Sequence, residues 1–159
     1  MSSGAKAFIH FEMALMDLPP AERELVVAAL EPDLMARYAA KKPAVLAPSA
    51  VESDGQTGLP AIVTGFPVFV EDRTQFSMFI ILVTPTVMVI PIFDQFDVYE
   101  VFDTPECRAP RTVIATARGS KRFDAQMTRF GGTLQDLYFE DATRKDHGYY
   151  LDVAYYTPL

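Results

Sequence analysis

Tryptophan is absent from this 159-residue chain, cysteine occurs once and histidine twice. A lone Cys107 excludes an internal disulfide and the paired-cysteine metal motifs. It fits a reducing compartment. With His10 and His147 as the only imidazoles, a transition-metal site would need Cys107 and an aspartate to converge from distant segments, and no spacing specifies that. Asp94, Asp97 and Glu100 are too irregularly placed for a calcium loop. Gly55, Gly58, Gly131 and Gly132 lack the strand–loop–helix setting of a phosphate-binding motif. Neither a metal nor a cofactor is therefore expected. Basic residues are also few, 14 Lys and Arg against 21 Asp and Glu, and the net charge of -7 argues against a nucleic-acid partner. The opening MSSGAKAFIHFEMAL has no basic stretch leading into a continuous apolar one, so no signal peptide is expected and the location expected is cytoplasmic.

Apolar residues, by contrast, are plentiful. They make up 50% of the chain, with 12 Phe and 7 Tyr, enough for one globular domain over residues 1–159. The run FSMFIILVTPTVMVIPIF (76–93) carries no charge. It only just reaches membrane-spanning length, contains Pro85 and Pro91, and is rich in strand formers. It reads as two antiparallel strands broken near Thr84 and Pro85, and no membrane association is expected. Phe76, Met78, Ile80 and Leu82 alternate with Phe79, Ile81 and Val83, so both faces of the first strand are apolar and both need a cover.

The pattern predicts an α+β fold. Phe8, Phe11 and Leu15 give residues 5–17 a helical apolar side, and Pro19, Pro20 and Pro32 suit the first turns of two further helices. Residues 43–60, with three prolines and two glycines, read as a long internal loop. Strands are expected at 61–70, 76–83, 86–93, 96–102 and 112–118, with a turn at 71–75. Their short connections favour a mostly antiparallel, strongly curled meander. Phe123, Met127 and Phe130 after Ser120 suggest a C-terminal helix, interrupted at Gly131–Gly132 and restarted by Thr133 and Asp136. A turn at Asp146–Gly148 would then lead into a final strand, YYLDVAYY.

Charge is sorted along the chain. Asp94, Asp97, Glu100, Asp103 and Glu106 precede Arg108, Arg111, Arg118, Lys121, Arg122 and Arg129. Such neighbours can exchange surface ion pairs, or Arg111, Arg118 and Arg122 can meet an anionic ligand or acidic partner, for which a planar guanidinium is well shaped. Tyr99 joins them as a candidate ligand-binding residue. Glu100 shares a strand face with Phe96, Val98 and Phe102, which makes it a candidate buried acid with Arg118 as partner. His147, beside Asp146 and near tyrosines, is the better candidate for acid–base work, and Glu100 is the second. Cys107 lies between Arg108 and a proline-bounded turn, where positive charge favours a thiolate.

Two functional readings follow. In the first, the chain is a non-enzymatic interaction or assembly protein, a homo-oligomer that self-associates through an apolar sheet face. In the second, the curled sheet encloses a pocket for a small apolar or anionic ligand, as a binding protein or as an enzyme using His147 or Glu100.

Overall fold

The computed structural model describes residues 3–71, 78–83, 85–108, 110–140 and 145–159. The N-terminal third forms three helices: α1 (Ser3–Met16), α2 (Pro20–Ala28) and α3 (Pro32–Lys41). Pro20 and Pro32 open α2 and α3, where a missing amide proton leaves no hydrogen bond unmade. One side of α1 places Phe8, Phe11 and Leu15 against Tyr38 of α3. The Tyr38 hydroxyl donates to the Glu12 carboxylate, with Lys42 3.7 Å from that carboxylate. Burial, reinforced by Glu12, holds the Tyr38 phenol far above its usual pKa. The other side of α1 places Ile9 and Met13 on the sheet at Ile62. At its end, Arg129 is buried in the sheet and reaches Asp17 at 2.6 Å.

Eight strands follow: β1 (Ala44–Leu46), β2 (Pro60–Phe69), β3 (Met78–Val83), β4 (Val87–Pro91), β5 (Phe96–Phe102), β6 (Arg111–Ala117), β7 (Thr128–Glu140) and β8 (Lys145–Pro158). Single helical turns α4 (Val51–Asp54) and α5 (Ile92–Gln95) punctuate them. The order is β1-β2-β5-β6-β8-β7-β3-β4, and β2 also pairs with β7. The pairings β2–β5, β5–β6, β6–β8, β8–β7 and β7–β2 thus close a ring of five strands. All are antiparallel except β6–β8.

The closed ring answers half of the covering problem. Ala61, Val63, Tyr99, Val101, Ile114, Phe130, Leu134 and Leu151 fill its interior, and Val51 of α4 packs with them. Fully burying a large side chain of this kind contributes about 1.5–3 kcal/mol. The other face of the same sheet is apolar too. Val98, Val113, Ala115, Leu137 and Tyr150 face outward from the ring and are covered by Met78, Ile80, Ile92 and Phe93 from β3 and α5. Met78, Ile80, Ile92 and Phe93, all from the apolar run, therefore supply the cover for the second face of their own sheet.

The α+β class, the N-terminal helices and the mostly antiparallel sheet are as expected. The C-terminal helix is not. Residues 118–127 are irregular and 128–140 form a thirteen-residue strand. The helical spacing of Phe123, Met127 and Phe130 is outweighed by TRFGGTLQDLYFE, in which Phe130 and Leu134 enter the ring and Leu137 enters the outer core. The two glycines are required by the strand. A Cβ on Gly131 would lie 2.4 Å from Ile9, and one on Gly132 would lie 2.1 Å from the Asp152 carbonyl oxygen. The turn expected at 146–148 is instead part of β8, which starts at Lys145 and pairs along β7. The 43–60 segment, expected as loop, carries β1, a 3-10 turn at Pro48–Ala50 and α4. The strand expected over 86–93 ends at Pro91 and turns into α5. Residues 72–77 and Thr84, in the expected turn, strand and break, lie outside the described residues.

Candidate functional site

Beyond the ring, β7 and β8 continue as a two-stranded ribbon that β3 joins through Met78–Phe139 and Phe79–Tyr138. Strand alternation puts Met78, Ile80 and Leu82 on the covered face and Phe79, Ile81 and Val83 on the opposite one. The register places Val87 across from Val83, Val89 across from Ile81 and Pro91 across from Phe79. This outer face has no cover among the described residues. Val83 is 85% exposed, Val87 65%, Val89 60% and Ile81 37%. No charged residue occurs between Met78 and Phe93. β4 is also the last strand of the sheet, so among the described residues one side of its backbone lacks a neighbouring strand.

The ladder runs on into an aromatic row. Phe79 stacks on Tyr138 (centroids 5.6 Å, planes 13° apart), Tyr138 is 5.4 Å from the His147 ring, and His147 is 5.3 Å from Tyr149. A polar node closes the row. His147 Nε2 is 2.8 Å from Asp136 Oδ1, and the Thr57 hydroxyl donates to the same oxygen at 2.5 Å. Burial pushes the Asp136 carboxyl up, but the hydrogen bonds from Thr57 and His147 prevail and hold it below the ordinary 3.8. An imidazole oriented by a carboxylate is equipped for proton transfer.

The other expected site residues do not gather here. Glu100 is largely buried and pairs with Arg111 (Nε to Oε1, 3.0 Å), whereas Arg118 donates from Nη1 to the Asp94 carbonyl at 2.8 Å. The partner expected for Glu100 is thus replaced by its cross-strand diagonal neighbour. Arg122 and Tyr99 do come together. The Arg122 guanidinium lies 4.1 Å from the Phe69 ring centre, and Phe69 packs edge-on against Tyr99 at 5.2 Å. Cys107 has a positive φ of 51° and its thiol lies 3.5 Å from the Pro105 carbonyl oxygen. His10 sits against Tyr155, 5.0 Å between rings. Sequence reasoning missed Thr57, Asp136, Phe79 and Tyr138. The alternation in TLQDLYFE was the available signal for two of them.

Two half-buried carboxyls give a pH dependence. Burial raises Glu100 above its ordinary 4.5, with Arg111 opposing, and raises Asp152 above 3.8, with Lys6 opposing. A raised folded-state pKa means the folded protein holds the proton more tightly, so this stability is complete below the ordinary value and is lost as pH rises through the shifted one. Asp136 acts in the other direction, below 3.8. Denaturation midpoints are expected to rise as pH falls through the raised values of Glu100 and Asp152 toward their ordinary 4.5 and 3.8, and the Asp136 contribution is lost as pH falls below 3.8. Glu100→Gln with Asp152→Asn should flatten the rise, and an unchanged slope in that variant would refute the assignment.

Among the described residues no group of three or more His, Cys, Asp or Glu is placed to hold a metal ion, and no helix is long and apolar enough to cross a membrane. Comparison with family models, with curated proteins and with solved structures finds no match.

Proposed function

We propose that the chain is an assembly protein that self-associates through the outer face of the β3–β4 hairpin. The observation carrying this reading is the bare ladder Ile81, Val83, Val87 and Val89, continued by Phe79, Tyr138, His147 and Tyr149. The four aliphatic residues expose roughly 400 Å² of apolar surface, within the range that marks the largest patches on ordinary monomers. The half-buried aromatic row and the open β4 edge extend this patch, and a stable interface takes roughly 800 Å² per partner. A second copy is the occupant that fits. It brings an equally uncharged ladder, leaves no charge to be desolvated, and pairs about a two-fold axis with the polar node at the rim. The ring interior, filled by Tyr99, Phe130 and their neighbours, favours this reading over an enclosed apolar pocket.

Salt distinguishes this interface from one made by the sorted charges. Copies bearing a net charge of -7 repel one another. Self-association through the ladder is therefore expected to tighten as salt screens that repulsion, whereas pairing of the acidic 94–106 region with the basic 108–129 region would loosen. Dissociation constants measured by sedimentation at 50 and 500 mM salt decide between them.

A further inference from the structure

One end of the five-stranded ring is stoppered by Phe123, carried on the irregular segment 118–127. Its ring packs against Tyr99 and Tyr156, each 4.7 Å between centroids, and against Phe130 at 5.2 Å. Beside it lies a cavity of about 60 Å³, lined by Lys121, Arg122, Phe123, Asp124, Gln126 and Tyr156 among others. The space opens to solvent and is roomy enough for a small ion.

The polar groups around this mouth are underused. Among the described residues Lys121 has no hydrogen-bond or ion-pair partner. Arg122 is fixed by stacking on Phe69 and touches Glu71 through Nη1 at 3.5 Å, a long contact between two largely exposed side chains. Such contacts are weak and readily exchanged. Beneath them the Tyr99 hydroxyl is buried beside the Phe123 backbone amide, and its own proton has no acceptor within hydrogen-bonding distance. It interacts electrostatically with Arg122 and Tyr156, and burial keeps it protonated, hence a donor. Two cations and the neutral donors of Gln126 and Tyr156 thus face two acids, Asp124 and the loosely held Glu71.

We infer that the ring mouth binds a small tetrahedral oxyanion of the phosphate class, gripped by Lys121 and the pre-positioned Arg122 with Gln126 and Tyr156 as neutral donors. Arginine's planar fork with a lysine point charge suits an oxyanion approached from several sides. The anion displaces Glu71 from Arg122 and lies against Phe123. Free phosphate and the terminal group of a phosphorylated small molecule share this chemistry.

Calorimetric titration at fixed ionic strength tests it, using inorganic phosphate and a simple alkyl phosphate. One saturable site is expected, with affinity falling at least tenfold in Lys121→Gln and in Arg122→Gln and unchanged in Arg37→Gln on α3. Tighter binding of the ester would identify a phosphorylated molecule as the source, and equal binding would identify the free anion. Because Arg122 also packs on Phe69, Lys121→Gln is the cleaner variant. Absence of saturable binding by either probe, or undiminished binding in Lys121→Gln, would overturn the assignment.

Discussion

Gly132→Ala is expected to destabilise the protein by about 2–3 kcal/mol, at the upper end of the cost of overpacking. The new methyl would meet the Asp152 backbone oxygen at 2.1 Å and the backbone carbon at 2.8 Å. Neither is the end of a flexible side chain, so β7 and β8 must separate where the register already shifts between Gly131 and Gly132. Were 119–140 helical, the same change would stabilise by about 1 kcal/mol, because alanine is the better helix former. The two folds therefore differ in the sign of the effect. Urea denaturation of the wild type and of this variant reads it directly, and Gly4→Ala, in helix α1 with open space around the glycine, should by contrast be neutral to slightly stabilising.

Much of the fold was legible because local signals agreed. Pro20 and Pro32 open helices, Phe8, Phe11 and Leu15 share a face, and the two-faced strand 78–83 demands two covers. The β7 segment was misread because Phe123, Met127 and Phe130 happen to stand at helical intervals. Only Phe130 of the three belongs to the strand's buried face; Phe123 is the stopper and Met127 is exposed. What distinguishes the cases is tertiary: Ile9 and Met13 of α1 come down on Gly131, more than a hundred residues away in sequence. Ring closure was equally hidden. It depends on β2 pairing with β7 through Pro60–Gly65 and with β5 through Phe66–Phe69, and no local pattern encodes a strand that divides its partners in this way.

The candidate site was legible in part. His147 was singled out as polar and near tyrosines, and it does sit between Tyr138 and Tyr149. Its carboxylate partner, however, is not the sequence neighbour Asp146 but Asp136 of β7, two residues along from Tyr138, which pairs directly with His147. Glu100 was recognised from alternation alone, as a carboxyl on an otherwise apolar face, but Arg111 rather than Arg118 is on the strand that lies beside it.

Val87→Asp combined with Val89→Asp is expected to raise the dissociation constant of the self-associated form at least a hundredfold, about 2.7 kcal/mol. Both positions lie on the outer face of β4 and are mostly exposed, so the outer core beneath keeps its packing and the fold is spared. At a two-fold interface each change enters twice, and four carboxylates would have to be desolvated where none stood before. Val68→Asp, an exposed apolar position on β2 away from the hairpin, should leave association unaltered. Loss of association in that variant too would place the contact elsewhere.

The most direct measurement is the mass of the wild-type chain in dilute solution by sedimentation equilibrium. Self-association through the hairpin face predicts a species of at least twice the 17.7 kDa chain mass, persisting at micromolar concentration and strengthened by salt. A mass of 17.7 kDa across the whole micromolar range, at low and high salt alike, would contradict it.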